Sequence, residues 1–409
     1  MKRNFDKKNV IFLTFVFILL LVGIPKIIRP EILIINVLDM FVVLFVIWKS
    51  LRGDVKRLTF LALVCLILSY LVSAYFIIKE FCPCDLDEPG REAYNSDESD
   101  YLKTFYLMEK GDDFYVAHRT ALIADDRFLD FKGDVAGWRL PTIFYFWKFV
   151  ANSGTNIRFS FLVLSSISLV SVYFLMKRFV GVLGLLSVYL LTPYFLGAVT
   201  DKSFLFIEWW AVIFLIFGLT LLVYNKRLLA YIVFLLCLAT RETFIVPVFS
   251  IIFWDILTRK RFLLAFITIG ALALFFFFHM ANLGNFNLLA PANRFHPINK
   301  GLILNIFAFS GRMYEFALLR QGLILTLIAV AGALYSVFVQ FKHKEVSKSL
   351  IFIFAFVPMV LFAFFFGTIA HEGGREFYSD YWGISFVPFA IIFAPLVLGI
   401  FKNKLSTKV

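Results

Sequence analysis

The chain has 409 residues, of which 61% are hydrophobic, 19% aromatic and only 17% charged. Soluble domains run near ~45–50% apolar and ~25% charged, so the composition argues against a soluble globular protein. The formal net charge of +12 sits in short Lys/Arg clusters beside apolar blocks, with no basic stripe interleaved with exposed aromatics, so nucleic acid is not expected as a partner.

A hydrocarbon core of about 30 Å needs roughly 20 apolar residues per helix, and the apolar blocks are of that size. Met1 to Lys8, followed by an apolar run from Val10, opens like a signal peptide, but no small-residue cleavage site follows, so a retained first helix is expected. Spans are expected at 10–28, 31–48, 58–78, 158–176, 180–198, 204–224, 228–257, 262–281, 317–340, 349–369 and 382–401. With the N-terminus inside, Lys49, Arg52, Lys56 and Arg57, then Lys177 and Arg178, then Lys226 and Arg227 all fall on the inner side, as topology signals should.

One block breaks this parity. As a single helix, 228–257 would be about 45 Å long and would leave Arg259, Lys260 and Arg261 outside. A break at Thr240-Arg241-Glu242-Thr243 makes two short half-spans with Arg241 and Glu242 at the outer side. The expectation is then an all-α polytopic membrane protein of about twelve helices, multi-pass in the cell membrane, with both termini cytoplasmic. It divides into an N-terminal hairpin (1–57), a transmembrane core (58–401) and a cytoplasmic tail (402–409). Of the cysteines, Cys65 and Cys237 lie in apolar blocks, and Cys82-Pro83-Cys84 lacks the spacing of a redox or zinc motif.

The segment 79–157 is the longest expected outer loop and the most acidic part of the chain, the kind of loop that carries function. Tyr101, Phe105 and Met108 recur at helical spacing, so an amphipathic helix is expected there, apolar face down at the membrane surface. Asn95 or Ser96 would cap it, and Asp97 and Glu98 would complement its N-terminus. Further on, Gly137-Trp138-Arg139-Leu140-Pro141 places a guanidinium at headgroup depth where the chain re-enters the membrane.

Asp97-Glu98-x-x-Tyr101, a short helix ending in Gly111, and Arg139-x-Pro141 together resemble the first outer loop of GT-C glycosyltransferases. The likeness is to the dolichyl-phosphate-mannose protein mannosyltransferase and aminoarabinose transferase group. Glu208, Arg241-Glu242-Thr243 and Arg375-Glu376-Phe377-Tyr378 look like further recurrent positions of such proteins. One departure is plain: two spans precede the helix leading into the acidic loop, where most relatives have one.

The resemblance implies a GT-C-like fold and transfer of a sugar from a polyprenyl-phosphate donor to a glycan, lipid or protein acceptor on the outer face. Such transfer needs a base for the acceptor hydroxyl, cations for the departing phosphate and a greasy groove for the isoprenoid. Asp97 is the expected base, with Glu98 orienting the acceptor or sharing a divalent cation. Arg139 and Arg375 are the expected phosphate partners, backed by Arg241, Arg294 and Arg312, with Tyr101 and Glu208 as further substrate contacts. Asp97, Glu98, His371 and Glu372 could ligate a divalent metal, and their spacing does not decide the matter. For His279, His296 and His371 the ordinary reading is an interfacial histidine. Two alternatives stay open, a lipid-linked oligosaccharide transporter or flippase, and an oligosaccharide polymerase; membrane lipid is a partner in every case.

Overall fold

The computed structural model describes residues 7–22, 30–81, 97–124, 138–199, 203–259 and 262–283, with short stretches between 328 and 398. The described residues contain helices and no strand. In chain order they are α1 (Lys7–Val22), α2 (Pro30–Ser50), α3 (Lys56–Phe81), α4 (Asp97–Glu109), α5 (Phe114–Ala124), α6 (Thr142–Val150), α7 (Gly154–Val180), α8 (Gly184–Val199), α9 (Ile207–Val223), α10 (Arg227–Thr240), α11 (Ile245–Arg259) and α12 (Phe262–Leu283). A helix satisfies its backbone within one segment, which is what a lipid environment requires. Four helical stretches among the described residues are long and apolar enough to cross a membrane: Pro30–Ser50, Lys56–Lys79, Gly154–Val199 and Phe262–Leu283. Shorter apolar helices occupy Asn9–Leu21, Ile207–Val223 and Arg227–Thr240. The expected spans 317–340, 349–369 and 382–401 lie mostly outside the described residues.

The chain forms two compact units, one of residues 1–76, 166–197 and 298–409, the other of 77–165 and 198–297. In the first, α2 buries Ile32, Asn36, Asp39, Met40, Val43, Val46 and Ile47 while Ile34, Leu38, Phe41 and Phe45 stay exposed. A helix apolar on both faces suits protein on one side and lipid on the other. Ser69 of α3 donates a hydrogen bond to Asp39 (2.9 Å) on that inner face. The run 154–199 would be about 69 Å long if it were straight, but it breaks at Gly181 (φ 65). A Cβ on Gly184 would lie 3.0 Å from the backbone nitrogen of Lys177 and 3.1 Å from the carbonyl oxygen of Tyr173, so the turn there is tight.

In the second unit α9 and α10 pack as a hairpin, turned at Asn225 (φ 60). Gly218 admits the Phe234 ring, whose Cε1 a Cβ there would overlap. The expected break in 228–257 is present. Thr240 ends α10, Arg241 is extended (φ −149, ψ 114), and a single 3-10 turn at Glu242–Phe244 leads into α11. Tyr231, early in α10, donates to Asp255, late in α11, at 3.1 Å, and Arg227 stands 3.9 Å from the same carboxylate. In a straight helix the rise from 227 to 255 would be about 42 Å, so the chain folds back on itself.

The helices expected in the outer loop pack on one another. Tyr101, Leu102, Phe105 and Met108 of α4 are all buried, and α4 packs against α5, α6 and the 3-10 turn at Ser203–Leu205. The bulky rings of Phe114, Phe144 and Trp147 are buried with them in an aromatic core. The exposed apolar residues belong instead to α5 (Val116, Ile123) and α6 (Tyr145, Phe149, the last 88% exposed).

Candidate functional site

Local sequence fixes the frame. Gly111 takes a left-handed conformation (φ 111), and Asp112 N–H reaches back to the Leu107 carbonyl (3.2 Å), closing α4. Asp113 then caps α5, its carboxylate accepting the Tyr115 N–H at 3.0 Å. Lys148 of α6 donates to the Met108 carbonyl (2.6 Å), setting a cation at the C-terminal end of α4. Arg139 and Pro141, just before α6, are thereby held over the start of α4.

There the side chains meet. Arg139 Nη2 lies 2.8 Å from Asp97 Oδ2, and Arg139 Nε donates to the Tyr101 hydroxyl. Asp97 and Tyr101 share a helix face because they are four residues apart. The side chain of Arg139 is 10% exposed and that of Asp97 21%, so the pair sits at the edge of the core. Burial pushes the Tyr101 hydroxyl well above the usual phenol range, with Arg139 opposing and Asp97 reinforcing the shift, so Tyr101 remains a neutral hydroxyl. Glu98 is half-buried beside them, and Asp100 is buried.

A second charged group lies within electrostatic reach of Tyr101. The hairpin of α9 and α10 brings Glu208 and Arg241 to the same end, with Arg241 Nε 2.6 Å from Glu208 Oε1. That approach is an ion-pair contact. Arg241 Nη1 also donates to Glu242 Oε1 at 2.7 Å. One guanidinium therefore serves two carboxylates, at 5% exposure for Arg241 and 2% for Glu208.

Comparison with family models, with curated proteins and with solved structures finds no match to this chain. The site must then be weighed on its own chemistry.

Five of the seven expected site residues, Asp97, Tyr101, Arg139, Glu208 and Arg241, fall into these two linked groups. Glu98 adjoins the first. Arg375 lies outside the described residues, as do Arg294, Arg312, His296, His371 and Glu372. Among the described residues, no three His, Cys, Asp or Glu side chains group to hold a metal ion.

Two further histidines have site-like environments: His118, which the sequence does not single out, and His279, whose sequence context suggests an ordinary interfacial histidine. His118 is 1% exposed, stacked on Phe114 at 5.5 Å, with Nδ1 3.0 Å from Thr104 Oγ1. His279 is 2% exposed and takes part in a hydrogen bond with the Tyr115 hydroxyl at 3.0 Å. The available signal was weak: a lone polar residue near the end of an apolar block.

Proposed function

We propose that this chain is a polytopic membrane glycosyltransferase of GT-C-like architecture, with about twelve transmembrane helices and both termini cytoplasmic. It transfers a sugar from a polyprenyl-phosphate donor to an acceptor hydroxyl on the outer face. The observation that carries the reading is the contact of Asp97 with Arg139, with Tyr101 as the third member. A base and a cation for the leaving phosphate must lie within a few ångströms of one anomeric carbon, and this pair supplies both.

In this reading the donor phosphate approaches Arg139 and competes with Asp97 for its fork of N–H donors. The carboxylate released from the pair then accepts the proton of the acceptor hydroxyl. The hydroxyl oxygen bonds to the anomeric carbon as the bond from that carbon to the phosphate oxygen breaks, and the lipid phosphate leaves with the electron pair. Tyr101, whose neutral hydroxyl accepts from Arg139 Nε, steadies the guanidinium throughout.

The test is purified full-length protein incubated with a panel of polyprenyl-phosphate sugars and scored for sugar release or transfer. Absence of turnover on every donor, together with transport of a lipid-linked sugar in liposomes, would reverse the proposal. One observation favours that second reading: Asp39, 5% exposed, lies midway along α2 with only Ser69 bonded to it among the described residues, and ionisable groups at such depth commonly mark transport paths.

A further inference from the structure

The inner face of α12 carries Ala265, Thr268, Leu272, His279 and Leu283, while Phe266, Phe277 and Phe278 point outward and are exposed. The polar group there is thus a buried imidazole at the end of a helix otherwise suited to lipid. Its Nδ1 lies 3.0 Å from the Tyr115 hydroxyl, and its Nε2 is buried without a hydrogen-bond partner among the described residues. Glu242 lies within electrostatic reach of it. The Oε2 atoms of Glu242 and Glu208, and the Thr243 hydroxyl, are also buried and unpartnered. Orphaned polar atoms are rare in folded interiors, so several at one end of a helix cluster mean something is received there.

The hydrogen-bond chain fixes what each atom offers. Burial, with Asp113 and Tyr145 adding to it, pushes the Tyr115 hydroxyl up to about 12, so it keeps its proton at neutral pH. Asn282 also bonds to that hydroxyl. With the Tyr115 proton directed to His279 Nδ1, the ring carries its own N–H on Nε2. His279 Nε2 and the Oε2 atoms of Glu242 and Glu208 thus offer a ring nitrogen and two carboxylate acceptors, all buried and without a hydrogen-bond partner among the described residues. Glu208 and Glu242 around one Arg241 leave an excess negative charge, which repels a phosphate. Alcohol hydroxyls, each both donor and acceptor, fit that set.

We propose that His279, Glu242 and Glu208 form a hydroxyl-binding subsite for the acceptor of the transfer reaction, a neutral polyhydroxylated molecule, separate from the phosphate position at Arg139. This rests on the transfer reading above. Tyr115 acts as a positioning residue that sets which ring nitrogen carries the proton.

The experiment measures acceptor KM and donor KM separately, using the purified full chain, an active polyprenyl-phosphate sugar and a soluble glucoside as the acceptor probe. His279→Ala and Glu242→Gln should each raise acceptor KM by about tenfold to a hundredfold, with donor KM within about twofold of wild type. His279→Gln, which restores a side-chain N–H, should recover part of the loss, and Tyr115→Phe should cause a smaller rise. An unchanged acceptor KM in His279→Ala and Glu242→Gln would overturn the subsite. So would a rise in donor KM equal to that in acceptor KM, which would mark a shared or purely structural role. Should Glu242→Gln fail to fold, the His279→Ala and His279→Gln pair decides alone. A wild-type protein inactive on every donor defeats the transfer reading itself, and is told apart because no KM exists to compare.

Discussion

The Asp97–Arg139 contact changes what an Asp97→Asn variant should do. If Asp97 merely capped α4, the change would cost little, because Asn and Asp cap nearly alike. The geometry gives a different figure. Asp97 Oδ2 takes a charge-assisted bond from an Arg139 side chain only 10% exposed. An amide oxygen can still accept that bond, but the guanidinium loses its counter-charge. Removing one partner of a buried pair costs about 3–5 kcal/mol, and the 21% exposure of Asp97 lets water offset part of it, leaving about 1.5–3 kcal/mol. Turnover should fall further, by roughly 10²–10⁴, if the carboxylate removes the acceptor proton. The double variant Asp97→Asn, Arg139→Gln removes both charges and should regain most of the stability while staying inactive. Thermal unfolding in detergent and sugar transfer from an active donor measure the two quantities independently. Wild-type turnover in Asp97→Asn would refute the base assignment, and restored turnover in the double variant would show that the pair matters only for folding.

Three further outcomes are expected. Arg241→Ala leaves the buried Glu208 and the half-buried Glu242 without their shared counter-ion and should destabilise the protein by about 3–5 kcal/mol, a larger loss than any variant of Arg139; equal unfolding temperatures for the two would contradict the shared-guanidinium arrangement. Single cysteines near Arg52, Arg227 and position 260 should resist an impermeant thiol reagent added from outside while one near Asp112 reacts, and labelling at 260 would mean that the fold-back of α10 and α11 does not set the topology. Tyr101 binds its proton more tightly when folded, so its contribution is intact below the unfolded phenol value near 10 and is lost as pH rises past it. The alkaline fall in unfolding temperature should therefore be shallower in Tyr101→Phe, as a pH series of melting curves would reveal.

The break at Thr240–Thr243 was legible before any coordinates because two independent constraints, bilayer thickness and the side on which Arg259 must lie, both demanded it. Asp97, Tyr101 and Arg139 were expected in one site because of the family resemblance. Spacing alone puts Asp97 and Tyr101 on one helix face and does not reach Arg139, which is 38 residues beyond Tyr101. The burial of α4 was not legible: Phe105 and Met108 would be spaced identically whether they faced lipid or protein, and only the rings at Phe114, Phe144 and Trp147 decide it. His279 was hidden by the same ambiguity in stronger form. A helix that is apolar all round, as α12 is, gives no sign of which side faces inward, so a single histidine on it reads as incidental. Its partner Tyr115 lies 164 residues earlier in the chain, and no local pattern links the two.

In the proposed transfer, the carboxylates around each arginine bear on which of the two would meet the donor. Arg241 contacts Glu208, 2% exposed, and Glu242, 27% exposed, while Arg139 contacts Asp97, 21% exposed. A phosphate arriving at Arg241 would have to displace both carboxylates and leave the buried Glu208 without its counter-charge. At Arg139 it displaces one, and that one can turn to the solvent side or to an acceptor proton. In that reading the lower desolvation cost would favour Arg139, and the same exchange would release Asp97 from the guanidinium when a base is needed. A lysine at that position would keep the charge but could not hold Tyr101 through Nε while its other nitrogens change partners, so Arg139→Lys should retain donor binding better than it retains turnover.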